Sequence, residues 1–393
     1  MSAGSLNTPC VLLRSGLSNR HIGRHLRLHP VTFAVGLFSP DAAVQSRPTG
    51  AEGVGHLRTA SGLAGNVLSL ISEAIGIGKD GEKEGGGSAP TQGSIKSWLG
   101  APMTTICTEF TQGPDKDGYG ARIECPSAHP GLMAAGLPWR DPKQFKEMLS
   151  KAGDASFLIV LQRDKSEGRV VPDADGRPRI SYRLNEADKR SMLQSLAGAV
   201  RILAKAGAHR ILTAHTADPG VENKEGLDDE TVEAYIGDVM ERKMPKHSAS
   251  VFSAHQMGSC RIGSSPSTSA ADEDGELWEC DGLYVADAST LPTASGSNPM
   301  ISTLAMAHVI SNRLATRLQY EDGKLDGDEN ALFRAMHLSA RREERRKAKG
   351  RLVTAASLLL SPSVLFVVSA CTAMLALRTG LEDMSEVIRV WGS

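Results

Sequence analysis

A mixed fold, α+β or α/β, is predicted by three stretches of this sequence. Ser156 to Leu184 reads as strand, turn and strand: FLIVLQ is apolar and β-prone, PDADGRP carries turn chemistry, and RISYRL alternates. Asp188 to Ala206 predicts a helix with Met192, Leu196, Val200 and Leu203 along one face, and Gly207 supplies its C-terminal stop. Asn298-Pro299 stands ahead of MISTLAMAHVISNRLATRL, where Leu304, His308, Ile310 and Leu314 recur near helical spacing.

The remaining elements follow in chain order. Leu57 to Ile77 holds an apolar-periodic piece, GLAGNVLSLISEAIGI, and the low-complexity run from Gly78 to Ser94 reads as a flexible surface insert. After the Asp188 helix, Asp218 to Glu230 is acidic and reads as a solvated loop, with no metal-site pattern. Thr231 to Met244 then predicts an amphipathic helix leading into the strand or loop that carries His255.

Composition fits a chain with a sizeable core. The 393 residues are 40% hydrophobic and 23% charged, enough for one to three domains, and the net charge of −1 gives no reason to expect a nucleic-acid partner. Six cysteines, at 10, 107, 125, 260, 280 and 371, show neither C-x-x-C nor disulfide-rich spacing, so reduced thiols and an intracellular setting are expected. MSAGSLNTP has no apolar secretory core.

The chemistry concentrates in SAHQMGSCRIG (Ser253 to Gly263) and LYVADASTLPTASGSNPM (Leu283 to Met300). Asn is a favoured N-cap and Pro a favoured first helical residue, so a helix is expected to start at Asn298-Pro299. The free N–H groups of Met300 and Ile301 would then present partial positive charge to an anion, such as the pyrimidine edge of a flavin that has accepted hydride. His255 supplies the complementary base, because hydride leaves an alcohol carbon readily only as the O–H proton is removed. Asn298 could hold the same oxygen. Read alone, His255 is equally a loop residue and Asn298 a helix cap. A zinc site of His255, Cys260 and Cys280 lacks a second close ligand pair, so no metal is expected.

These blocks resemble the C-terminal signature of the glucose-methanol-choline (GMC) flavoprotein oxidoreductases, in the branch of the long-chain fatty alcohol oxidases. AGSLNTPCVLLRSGL (Ala3 to Leu17), IGRHLRLHPV (Ile22 to Val31), GAPMTTICTEF (Gly100 to Phe110) and ECPSAHPGLMAAGLPWRD (Glu124 to Asp141) extend the resemblance from Ser2 to about Leu318. It implies FAD as cofactor, His255 as the catalytic base, and Asn298 at the second active-site position. It also implies Asp287 and Ala288 beside the ribityl and phosphate part of FAD, with Pro299 and Met300 at the helix start beneath the flavin ring. The implied fold is a GMC-type substrate domain, antiparallel sheet plus helices, joined to the C-terminal remainder of an FAD-binding domain. Residues 1–40 would be that late FAD-domain part, 41–250 the substrate domain with its insert at 78–94, and 251–320 the active-site and FAD-contacting segment.

Two departures accompany the resemblance. Ser18 stands where the family's second signature has Gly. The family's strand, glycine-rich turn and helix that cradle pyrophosphate are not evident: the G-x-G-x-x-G string GIGKDG, Gly76 to Gly81, runs into EKEGGGSAPTQGS instead of a helix. The chain therefore reads as a C-terminal portion. The implied reaction converts a long-chain primary alcohol and O2 to aldehyde and H2O2, and another alcohol or electron acceptor would use the same chemistry. Apolar, small-residue segments suit an aliphatic chain better than a sugar, with Met103, Met133, Leu137 and Trp139 either lining the pocket or filling core. The alternative is a flavin-free, membrane-anchored remnant acting as a binding or partner subunit, and the state of oligomerisation is open.

RREERRKAKGR, Arg341 to Arg351, lies in a charged linker (321–351) ahead of an uncharged apolar run, Leu352 to Leu377, and a short tail, 378–393. That run exceeds the roughly 20 residues that cross a bilayer, and Pro362 is tolerable in a membrane helix. A buried or interfacial helix is the other reading. If the run spans, seven Lys/Arg against two Glu before it place the catalytic part on the cytosolic side of an intracellular membrane, in contact with membrane lipid. The protein is then expected to stay with membranes through high salt and alkaline carbonate, and its release by salt alone would exclude a spanning segment.

Overall fold

A computed structural model describes residues 1–39, 97–98, 103–139, 141–216 and 218–323, together with isolated positions between 332 and 347. The expectations for Leu57 to Ile77, the insert 78–94, Gly76 to Gly81 and the apolar run 352–377 lie outside the described residues. Among the described residues no helix is long and apolar enough to cross a membrane. The chain divides into two units, Met1–His308 and Val309–Ser393.

The first unit is organised by a six-stranded antiparallel sheet. Its strands are β1 (Val31–Leu37), β2 (Met103–Cys107), β3 (Ala121–Pro126), β4 (Ala155–Gln162), β7 (Arg210–Thr213) and β8 (Val221–Glu222), in the order β2-β3-β4-β1-β7-β8. β1 pairs with β4 from Val31↔Leu161 to Leu37↔Ala155 and with β7 from Ala34↔Thr213 to Leu37↔Arg210. All seven residues of β1 are buried. Both faces of the sheet are covered, which is why VTFAVGL and FLIVLQ are nearly continuous apolar runs rather than alternating ones.

On one face lie the helices α4 (Glu186–Lys205) and α5 (Asp229–Arg242). Met192, Leu196, Val200 and Leu203, the stripe expected from the sequence, pack there with Ala34, Ile123, Val160 and Ile211. Asn185 caps α4 by accepting from Asp188 N–H at 2.7 Å, and Asp228 caps α5 through Thr231 N–H at 2.7 Å. Gly198 lets α4 approach closely, since a Cβ there would sit 2.4 Å from the Phe110 ring. The opposite face carries α2 (Pro130–Gly136) and α3 (Pro142–Ser150), whose Met133, Leu137 and Met148 pack on Phe33, Val35 and Phe157.

α1 (Gly4–Arg14) is bound to the C-terminal segment of the same unit. Pro9 inside it has no N–H for the carbonyl of Ser5, and the Ser259 hydroxyl donates to that carbonyl instead, at 2.6 Å. Leu12 meets Cys260, Ala271, Leu277 and Val285 in a separate apolar cluster.

The strands and turn expected over Ser156 to Leu184 are present but divided between sheets: β4 joins the large sheet, whereas β5 (Arg169–Pro172) and β6 (Pro178–Ser181) form a separate two-stranded hairpin. One sequence expectation needs correction. The stretch up to Glu230 is largely exposed, but Asp218 itself is not. It is 4% exposed and accepts from Thr213 N–H and Oγ1 (both 2.7 Å), Gly220 N–H (3.0 Å), Tyr235 Oη (2.5 Å) and Arg242 (2.6 Å). Burial alone would raise its pKa, but Tyr235, Thr213 and Arg242 outweigh that, and the net shift is downward. The helix expected after Asn298-Pro299 is present as α6 (Met300–Glu321), with Ile310 buried and Leu304 61% exposed.

Asp218→Ala removes the acceptor shared by β7, α5 and the turn at Gly220. It is expected to lower the unfolding free energy by about 3–5 kcal/mol, measured by urea titration with circular dichroism.

Candidate active site

The site forms where the chain just before β1, the ends of β3 and β4, and two loops from the 250–300 region meet. The loop bearing His255 is stitched to the β1 approach by backbone bonds: Arg27 pairs with Met257 and Val31 with Phe252. Ser253 Oγ donates to the carbonyl of Leu28 at 2.5 Å, and Gln256 Nε2 donates to the carbonyl of Ser253 at 2.9 Å. These bonds fix where the His255 ring sits. Its Nδ1 is buried and has no hydrogen-bond partner, and burial lowers its pKa, so the imidazole is neutral near pH 7.

His29 lies edge-on to His255, with ring centroids 5.5 Å apart and planes at 90°. It is fully buried, and its backbone is left-handed (φ 45), a conformation secured by the buried Asp164 carboxylate, which accepts Leu28 N–H at 3.0 Å and His29 N–H at 3.2 Å. Burial lowers the pKa of His29 to about 3, assisted by repulsion from His255, Arg163 and Arg122. Nε2 of His29 accepts the Gly296 N–H at 3.1 Å, so the proton of the neutral ring is assigned to Nδ1, which has no partner. His29 thereby touches both halves of the expected site, His255 directly and the Asn298 loop through Gly296.

That second loop is clamped from β4. Arg163 donates through Nε to the carbonyl of Ala294 (3.0 Å) and through Nη1 to that of Gly118 (3.2 Å), with its guanidinium 4.6 Å from the centre of the Tyr119 ring. The helix it leads into starts at Met300, one residue later than expected. The carbonyl of Pro299 takes the first helical bond, from Thr303 N–H at 2.7 Å, so Pro299 and not Asn298 stands at the cap position. The Asn298 side chain is directed elsewhere, donating through Nδ2 to Glu124 Oε2 at 3.4 Å.

Glu124 was not singled out by the sequence reading. It is 1% exposed on β3, with Oε1 buried and unpartnered, and burial raises its pKa against the opposing effects of Asn298 and Arg122. The available signal was a carboxylate within an otherwise sheet-forming run, RIEC. Together the unpartnered buried atoms His29 Nδ1, Arg122 Nε, Glu124 Oε1, Gln162 Oε1 and His255 Nδ1 lie around this junction of strands and loops. Native interiors leave few such atoms unsatisfied, which makes this junction the candidate site.

Beside them is an apolar cavity of about 330 Å³, lined by Val31, Phe33, Phe157, Ile159, Phe252 and Ala254 among others. Ala254 adjoins His255 in sequence, and Pro126, also at the cavity, is two residues from Glu124. Met133 lines this cavity, whereas Leu137 fills core, and Trp139 is 53% exposed with its ring against Phe145. The side chain of Met103 lies outside the description.

Of the expected cofactor contacts, Asp287 is buried with its carboxylate committed to Gly4 N–H (3.0 Å), Thr8 Oγ1 (2.6 Å) and Ser289 N–H (2.7 Å). It fixes α1 to the short 3-10 turn Ala288–Thr290, and Ala288 in turn accepts Gly258 N–H at 3.0 Å. The residues present suit the flavin half of FAD: the N–H groups of Met300 to Ser302 precede the first bond of α6, and an anionic ring edge would satisfy them. A glycine-rich pyrophosphate turn ahead of a helix is not found among the described residues. Among these residues there is also no group of His, Cys, Asp and Glu that could hold a metal.

His29 makes stability depend on pH. Unfolded, it titrates near 6.5; folded, at about 3. Between those values the unfolded chain binds a proton that the folded chain excludes, so stability present above 6.5 is lost as pH falls toward 3. The expected slope from this residue approaches about 1.4 kcal/mol per pH unit. Urea unfolding at stepped pH should show that slope reduced in His29→Asn, a replacement that tolerates the left-handed backbone.

Two family models described as GMC oxidoreductase match the chain, the C-terminal one over residues 164–307 and the N-terminal one over residues 1–31. Long-chain-alcohol oxidase FAO4A of Arabidopsis thaliana is 31% identical over 311 residues, covering 79% of this chain and 36% of that protein. FAO1 of the same plant is 32% identical over 319 residues, covering 80% and 35%. The chain thus spans about a third of the length of these relatives. Among solved structures, a formate oxidase aligns with 79% of this chain and 52% of its own, at 18% identity and a TM-score of 0.43. With both models matched in order along one chain, the protein belongs to the GMC oxidoreductase family, whose cofactor is FAD.

Proposed function

We propose that this chain forms the substrate-binding and proton-accepting part of an FAD-dependent oxidase of long-chain primary alcohols. The observation that carries the reading is the neutral imidazole of His255, its buried Nδ1 unpartnered, directly following Ser253 and Ala254, which line an apolar cavity. The similarity to long-chain-alcohol oxidases supports the substrate class.

In this reading the aliphatic chain lies against Phe33, Phe157, Ile159 and Phe252, where its burial contributes about 0.8 kcal/mol per methylene. Its hydroxyl stands among His255, Asn298 and Glu124. His255 accepts the hydroxyl proton while the carbinol hydrogen leaves as hydride. When bound, FAD would supply the hydride acceptor, with O2 as the final oxidant and H2O2 as its product. Glu124, buried and drawn toward its protonated form, and Asn298, which donates to it, orient the substrate oxygen. Low polarity in the cavity rejects sugars, which would leave several hydroxyls without partners. Asp287 acts through structure, holding α1 and the turn at Ala288 where the resemblance implies the ribityl chain.

The test uses the full chain with its bound flavin measured by absorbance and O2 uptake measured with alcohols from butanol to octadecanol. Turnover should favour the long alcohols, and His255→Ala should lower kcat by about 10²–10⁴-fold with flavin content unchanged. Because burial lowers the pKa of His255, its protonation begins only below the ordinary 6.5, so the acid limb of the rate profile should fall under that value. Glu124→Gln should lower kcat more than it raises KM. A preparation without flavin or alcohol turnover would favour the binding-subunit reading.

A further inference from the structure

A second cleft, of about 480 Å³, lies between the residues that follow β6 and the loop that follows α5. Its lining combines Leu184, Met244 and Val251 with the cations Arg183, Lys189 and Lys246, and it contains no Asp or Glu. His247 is a further lining residue. The apolar part is an extension of the core: Met244 is 4% exposed and Leu184 packs against the cluster beneath α4 and α5. The cationic part is at the rim, where Arg183, Lys246 and His247 are exposed.

The charge at this rim is not neutralised locally. Lys189 donates to Glu186 Oε1 at 2.7 Å, and that carboxylate also lies among Arg190 and Lys243, so cations outnumber it. The loop carrying Lys246 is not a relaxed tail. Lys243 and His247 both have left-handed backbones (φ 54 and 66), and the loop is secured by His215 Nε2 against the carbonyl of Lys243 at 2.8 Å and by Thr216 N–H against that of Ser248 at 2.7 Å. A rigid loop therefore holds like charges around an apolar floor.

From this arrangement we infer that the cleft binds a fatty carboxylate, its head among Arg183, Lys189 and Lys246 and its first methylenes on Leu184, Met244 and Val251. Arg and Lys match an anionic head, and an apolar floor excludes small hydrated anions as the preferred ligand. Tyr182 offers its ring alone, because its hydroxyl is engaged with Asp164 at 2.8 Å. The size is within the roughly 300–1,000 Å³ range of small-molecule sites. The headgroup of an anionic phospholipid presents related chemistry, and the experiment separates the two.

The test is calorimetric titration of the full chain with laurate below its micellar concentration, beside dodecanol, acetate and inorganic phosphate. Laurate should bind in a salt-weakened step that acetate and phosphate do not reproduce. The charge-reversal pair Arg183→Glu and Lys246→Glu should weaken laurate by about tenfold or more and leave dodecanol binding unchanged. Both positions are exposed, and a melting temperature equal to that of the unmodified chain verifies that the variants fold. Equal laurate affinity with and without the reversals overturns the site. Flotation with vesicles containing phosphatidylserine, sensitive to the reversals in the absence of any laurate step, overturns the free-carboxylate assignment. Neither arm needs flavin or turnover, so failure here is distinct from failure of the oxidase reading.

Discussion

Backbone pairing along Leu26–Leu37 sets the position of nearly every group at the site. Leu26 exchanges bonds with Gly168, Arg27 with Met257 and Val31 with Phe252, before the same run becomes β1 between β4 and β7. A segment paired on both sides has no freedom to shift register, because a slip of one residue would turn Phe33 and Val35 from one core to the other. His29 falls in the short gap between these pairings. Its left-handed turn is held by Asp164, a carboxylate that stays buried because Leu28, His29 and Tyr182 all donate to it.

Desolvation then governs the chemistry. The same burial that lowers His255 and His29 raises Glu124, so two imidazoles and a carboxyl are all moved toward their uncharged forms in one region. In the proposed reaction, an imidazole that is neutral near pH 7 and a carboxyl that resists ionisation would exchange protons with an alcohol without holding a net charge in an apolar surrounding. Arg122, with its buried Nε unpartnered, is the nearby cation, and it limits how far Glu124 shifts.

The core helices and the central strand were legible in the sequence because each depends on local pattern. The stripe at Met192, Leu196, Val200 and Leu203 repeats with helical period, and FLIVLQ is a strand under any pairing. Residues whose roles come from long-range partners were not. Asp218 sits in an acidic stretch and reads as solvent-facing, yet Thr213, Tyr235 and Arg242 converge on it from β7 and α5. Glu124 in ARIECP and His29 in HLRLHPV belong to no local chemical pattern, and their meaning arises only when β1 and β3 are brought to the same region by the β4 strand between them. Asn298 was read through its helix-capping habit, and Glu124 lies within hydrogen-bonding reach of its side chain.

Gly296 carries a consequence for which sequences this loop can accept. Its φ of +74 alone would admit Asn or Asp, the residues that most readily tolerate a left-handed backbone. A Cβ at this position would lie 2.7 Å from Cδ of Arg163, the side chain that holds Ala294. Two independent filters, one torsional and one steric, therefore act on a single codon. Variation here should be reachable only together with a change at Arg163, so the two positions are expected to drift as a linked pair rather than one at a time.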